Sequence, residues 1–250
     1  MIAIIAGDFC RRDVCKACTH IRVVMESRLD LRLEDLPIFA GHSPEQVRQL
    51  TVGSRVVEVR HREAMFKMGD AAQSFGIVLQ GAFKLVKATP DGANAIVYFA
   101  TPGDVLAGLV MASPGVYPVS AVAMGQSVAL RIPRQTFVEA WSKNPEIQQT
   151  LRNILFLRMS LMHEQKALLK APLAQKVARE LVNLIERYSD KGETFLPIPI
   201  TRQEIADSVG ASVESVIRVM SDWSQNGYLK TTDQVIHVLR MDKILEIMMG

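Results

Sequence analysis

Beyond Cys18 the chain contains no cysteine, and the three it has, Cys10, Cys15 and Cys18, fall within nine residues of a 250-residue sequence. Three clustered thiols cannot pair evenly, which favours a metal or redox site over a disulfide framework. Long apolar runs are missing as well: no stretch approaches the ~20 residues a membrane helix needs. The opening MIAIIA gives way at once to Gly7-Asp8, and Arg11, Arg12 and Lys16 follow it. That order is the reverse of a secretory signal, so a cytoplasmic location with no membrane partner is expected. His42, His61, His163 and His237 are isolated from one another in the sequence. With no nucleotide-binding loop and no catalytic constellation, the sequence does not read as an enzyme.

Basic charge is also scarce where it would be most useful. The net charge is +3, yet residues 171–250 carry nine Lys and Arg against eleven Asp and Glu. Between Lys87 and Arg131 there is no cation at all. A buried phosphate in that region would have no positive group to hold it.

What is present changes character along the chain. Residues 1–20 form an arm around the C-x4-C-x2-C cluster, whose thiolates suit an iron-sulfur cluster or zinc. Either metal site ordinarily takes four protein ligands, so Asp8, Asp13 or His20 is a candidate for the fourth. The remaining reading is a plain arm with no cofactor. Residues 21–143 open with helical pieces, Ser43-Pro44 starting one with Gln46 at the capping-box position. Short alternating segments follow, RVVEVRHR, FGIVLQG, AFKLVKA, NAIVYFA and SVALRIP, separated by the turn signals Gly69-Asp70, Asp91-Gly92 and Gly103-Asp104. That rhythm predicts an all-β roll or sandwich.

After Asn144-Pro145 the period becomes helical through residue 171. Ile147, Leu151, Ile154, Arg158, Leu161, Gln165 and Leu168 recur at alternating steps of four and three. The spacing predicts a heptad seam with two polar positions, at which the helix pairs with its own copy. Residues 172–250 then read as a helix (173–189), a helix-turn-helix, two short strands about a polar turn in YLKTTDQVIHVL, and a closing helix.

The helix-turn-helix spans Thr201 to Gly227. Thr201 and Glu204 form a capping box, Gly210 stands at the turn and Ser212 caps the second helix. In such a motif the early exposed residues of the second helix face the major groove. They are Val213, Glu214, Ser215, Ile217 and Arg218. Arg218 can give two donors to guanine, Glu214 can accept from cytosine, and Val213 or Ile217 can touch a thymine methyl. An ordinary i,i+4 ion pair between Glu214 and Arg218 is the competing reading. Phosphate contacts fall to Thr201, Arg202, Ser212, Ser215 and Lys230.

The order of parts resembles the cyclic-AMP receptor protein and fumarate-nitrate reduction regulator superfamily of bacterial transcription factors. The motifs that carry it are FKMGD at 66–70, VLQGAFKL at 78–85, PGDVLAG at 102–108 and ITRQEIADSVGASVESVIRVM at 200–220. The resemblance implies an α+β chain: an N-terminal double-stranded β-roll, a long dimerisation helix and a C-terminal winged helix-turn-helix. It further implies a homodimer that reads an inverted repeat in double-stranded DNA, with RNA polymerase as a partner.

Members that bind cyclic AMP carry a Gly-Glu pair and a later Arg-Ser or Arg-Thr in the roll. Here Ala107-Gly108 and Tyr117-Pro118 stand at those places, which argues against cyclic AMP. Residues 108–124 look instead like the oxygen-sensing members, which hold a [4Fe-4S] cluster on N-terminal cysteines and one distant cysteine. Leu130 takes the distant cysteine's place, so the resemblance implies three cysteines plus a non-cysteine ligand, and a sensor of oxygen, nitric oxide or redox state. Zinc or no cofactor, with control by thiol oxidation or abundance, is the alternative. An iron-sulfur redox protein is the alternative of another class. Glu214 and Arg218 match the family's recognition helix and imply a TGA-type half-site core, whereas Ile217 departs from it.

Overall fold

The computed structural model describes residues 33–89, 92–108, 115–167, 170–189, 192–196, 198–232 and 235–250, without the side chains at 164, 165 and 167. The cysteine arm, Asp91 and Leu168 lie outside the described residues. Among those residues no helix is long and apolar enough to cross a membrane.

Helix α1 (Pro44–Leu50) starts on the expected capping box, Ser43 accepting from the Gln46 amide while Gln46 closes back on Ser43. Eight strands follow: β1 (Arg55–Val59), β2 (Ala64–Phe66), β3 (Ser74–Gln80), β4 (Phe83–Ala88), β5 (Asn94–Ala100), β6 (Val105–Leu106), β7 (Ser120–Ala123) and β8 (Ser127–Pro133). They form two four-stranded antiparallel sheets, ordered β1-β8-β3-β6 and β2-β7-β4-β5. Strand β3 is buried along nearly its whole length because it lies inside its sheet with both faces covered. Strand β5 is an edge, and a bulge there leaves Val97 unpaired and half-exposed. Past β8 run α2 (Arg134–Glu139), the long α3 (Pro145–Ala167) and α4 (Leu173–Tyr188).

Trp141, between α2 and α3, anchors the closed end of the roll. It is fully buried, donates its indole N–H to Leu50 O at 2.7 Å, and meets the Phe75 ring edge-on at 4.6 Å. Phe39 and Phe137 complete the aromatic packing.

Helix α3 buries the first two residues of the predicted seam in the roll. Ile147 and Leu151 are buried in the roll's own core, Ile154 packs against it, and Arg158 and Leu161 are half-buried beside the roll. Ile147 and Leu151 are therefore taken up within the chain, while Ile154, Arg158 and Leu161 keep part of their surface open. Leu155, Phe156, Met159 and Met162 are exposed on a face turned roughly a third of a turn away, and Leu157 is exposed on the opposite flank. Gln165 has no described side chain and Leu168 lies outside the described residues.

The C-terminal unit is α5 (Arg202–Val209), α6 (Val213–Gln225), the hairpin β9 (Leu229–Thr232) with β10 (Val235–Val238), and α7 (Met241–Met249). Its core gathers α4, α5, α6, both short strands and α7 around Val216, Met220 and Trp223. It also takes in Ala82, Ile96, Phe99 and Met124 from the roll. The C-terminal unit thus shares its core with the outer surface of the β4–β5 hairpin.

Candidate nucleic-acid interface

Thr201 caps α5 with its hydroxyl, and Glu204 returns its carboxylate to the Thr201 amide at 2.8 Å. Gly210 ends the helix at φ 66°, a left-handed conformation that favours a residue without Cβ. Two residues on, the Ser212 hydroxyl accepts from the Ser215 amide and starts α6. Val216, Met220 and Trp223 face inward, so Glu214, Ile217 and Arg218 are left on the outer face, with Val213 and Ser215 at its margin. Among the described residues Glu214 and Arg218 make no ion pair with each other. Both remain available to a ligand outside the chain.

Of the groups assigned to phosphate, Lys230 and Thr201 are exposed. Arg202 is not free: it is half-buried and donates to Thr231 Oγ1 at 2.7 Å, tying α5 to the wing. Burial lowers its pKa from the ordinary guanidinium value. Across the wing from Lys230 stands His237, whose ring lies 5.7 Å from that of Phe195. Among the described residues no three His, Cys, Asp or Glu side chains gather as a metal site.

The roll reaches this unit through groups that sequence reasoning missed. Lys84 of β4 donates to Glu204 Oε1 at 2.9 Å, so the carboxylate that caps α5 also holds the roll. Burial works to raise the Glu204 pKa, but the Thr201 amide and the bond and charge of Lys84 outweigh it and the net shift is downward. A lowered carboxyl contributes stability above the unfolded value of about 4.3, and that stability is lost as pH falls through the lower folded value. Lys84→Met is expected to melt ~2–4 °C below the native chain near neutral pH. The gap is expected to narrow as pH drops below about 4. A gap that stays constant in pH-dependent calorimetry would assign it to packing.

A second junction is centred on Asp104, which the sequence marked only as a turn. Asp104 accepts from the Tyr98 hydroxyl and the Thr101 amide, both at 2.9 Å. Arg158 of α3 and Arg187 of α4 approach it at 3.8 Å and stack on the Tyr98 ring at 4.5 and 4.4 Å. Burial and Asp104 raise the Tyr98 pKa against the pull of the two arginines. Arg187 and Tyr188 also donate to Tyr98 and to the Phe99 carbonyl.

Within the roll, Tyr117 stands where the resemblance expects a phosphate-binding arginine. It is buried, its ring stacks on Phe66 at 4.2 Å, and its hydroxyl donates to Ser74 O at 2.6 Å. Arg131 reaches the same corner but is engaged with the Ser74 hydroxyl at 2.7 Å.

A β-roll, a long helix and an exposed recognition helix beside a β-wing define a DNA-binding transcription regulator. Residues 56–144 match the cyclic nucleotide-binding domain family, and 175–247 match the Crp-like helix-turn-helix domain. The nitrogen fixation regulation protein FixK of Bradyrhizobium diazoefficiens is 30% identical over 185 residues, covering 73% of this chain and 77% of its own. A CRP-like cAMP-activated global transcriptional regulator of Mycobacterium tuberculosis is 26% identical over 196 residues, 77% of this chain and 88% of its own. In fold, FixK2 from Bradyrhizobium japonicum matches with a TM-score of 0.69 at 20% identity, covering 78% of this chain and 96% of that one. The chain belongs to the cyclic-AMP receptor protein and fumarate-nitrate reduction regulator family.

Proposed function

We propose that this protein is a homodimeric regulator that reads an inverted repeat with TGA-type half-site cores and responds to oxygen, nitric oxide or redox state. The observation that carries the sensing part is the C-x4-C-x2-C cluster in a chain with no other cysteine. Its donor set suits a [4Fe-4S] cluster held by Cys10, Cys15 and Cys18, with Asp8, Asp13 or His20 as the non-cysteine ligand. Bound there, the cluster supplies a redox-labile group whose oxygen- or nitrogen-ligated corner is open to attack by oxygen or nitric oxide. Tyr117 filling the phosphate corner supports a roll that does not use cyclic AMP.

In the dimer, the exposed α3 face of Leu155, Phe156, Met159 and Met162 forms the contact. Glu214 and Arg218 then contact base edges, and the exposed Lys230 contacts phosphate. RNA polymerase is the further partner of the DNA-bound dimer.

Anaerobic purification with iron, acid-labile sulfide and zinc assays, followed by DNA-binding anisotropy, tests the reading. Iron and sulfide near four per chain are expected, and Cys15→Ser is expected to lose both. Arg218→Ala is expected to weaken binding to a TGA-type inverted repeat by about 30-fold or more, one bidentate base contact of ~1–3 kcal/mol being lost in each of two half-sites. Colourless anaerobic protein, or zinc alone, would remove the cluster. Undiminished DNA binding by Arg218→Ala would remove the recognition scheme.

A further inference from the structure

Helix α5 begins with a cation that the helix itself does not favour. Arg202 directly follows the Thr201 cap, where the positive end of the helix dipole opposes a guanidinium. Among the described residues it enters no ion pair, and burial lowers its pKa from the ordinary guanidinium value. Its side chain donates instead to the neutral Thr231 Oγ1 on β9, at 2.7 Å.

That bond lands on the least supported strand of the C-terminal unit. Strand β10 is bonded on both sides, to β9 and to residues 194–196, through Leu196 N–H to Ile236 O at 2.9 Å and Val238 N–H to Thr194 O at 2.7 Å. Among the described residues β9 pairs on one side only, and after Leu229 its residues are exposed. A hairpin is marginal by itself, so whatever ties down its outer strand sets where that strand's side chains point. Alternation along β9 places Thr231 on the side of the buried Leu229 and Ile236, and Lys230 with His237 on the other. No other hydrogen bond among the described residues joins α5 to β9 or β10. Helix α5 is a firm anchor, because Glu204 fixes its start and is held by Lys84 of the roll.

We propose that Arg202 is a positioning residue for DNA binding: through Thr231 it fixes β9 against α5, so that Lys230 on the opposite face of the strand meets the phosphate backbone. The proposal rests on the phosphate contact given to Lys230 above. Arg202 itself touches no phosphate and acts through the strand it holds.

The test is the salt dependence of DNA binding, followed by anisotropy of the full chain on a TGA-type inverted repeat and on a duplex of unrelated sequence. Each neutralised phosphate contributes about 0.9 to the slope of log K against log salt, so Lys230→Ala is expected to lower the slope by about two, one contact per subunit of the dimer. Thr231→Val removes the acceptor and keeps both cations. It is expected to lower the slope by about one and the affinity about three- to tenfold, while Thr231→Ser keeps the native values. Adding Thr231→Val to Lys230→Ala is expected to change the slope no further. The ratio of affinities for the two duplexes stays native throughout, since a phosphate contact carries no sequence information. Lys230 and Thr231 are exposed, so these variants keep the fold even if Arg202→Ala does not. A native slope in Thr231→Val overturns the proposal, and so does a further fall when Arg202→Ala is added to Lys230→Ala, which would make Arg202 itself a phosphate contact. A native slope in Lys230→Ala would remove the Lys230 contact and the proposal with it, a failure told apart because Arg202 and Thr231 are then unchanged.

Discussion

Met159→Glu is expected to turn the dimer into a folded monomer and to weaken binding to an inverted repeat by at least about 100-fold. Met159 lies four residues after Leu155 and three before Met162 on α3, and all three are exposed, with Phe156, 70% exposed, beside them. An apolar helical stripe of this kind, unpartnered within the chain, pairs with its copy by coiled-coil packing. Two glutamates facing each other across that seam would bury like charges without partners. In the isolated chain Met159 is 44% exposed, so the glutamate can reach solvent and far-UV circular dichroism should not change. The affinity loss follows from geometry, since a monomer engages one half-site and forfeits the second. Light scattering gives the mass directly, and a variant that stays dimeric would move the contact to another face.

Leu151→Ala is the complementary substitution, and its expected cost is ~2–5 kcal/mol of unfolding free energy, with the dimer mass retained. Leu151 sits just over two turns from Met159 but belongs to the roll core with Ile147, Trp141 and Phe75. Truncation leaves a cavity in a core made by both sheets and α3, which cannot collapse around it. Denaturant melts read the loss. A stable but monomeric Leu151→Ala would return this residue to the seam first expected of it. The two substitutions together assign each face of one helix to its own task.

The cores behind these effects were unevenly legible. Both capping boxes, the left-handed Gly210 and the wing hairpin follow from residues within a few positions of each other, and each is where the local pattern places it. The recognition face was legible for the same reason: Val216, Met220 and Trp223 at helical spacing leave Glu214, Ile217 and Arg218 outside. Arg202 was not, because its partner Thr231 is 29 residues away on the wing. Nor could spacing alone show that Lys84 meets Glu204, 120 residues distant.

The sequence by itself determined the elements and their order: a strand-rich roll, a long helix and a capped helix-turn-helix. These depend on short-range physics, capping, periodicity and turn conformation, which neighbouring residues settle among themselves. Tertiary structure decided which apolar residues of α3 are consumed by the roll and which stay exposed. A heptad pattern records that a stripe must be buried but carries no mark of its partner. Tertiary structure also brought Asp104, Tyr98, Arg158 and Arg187 from the roll, α3 and α4 to one junction. Charges that meet across such sequence distances are paired by packing.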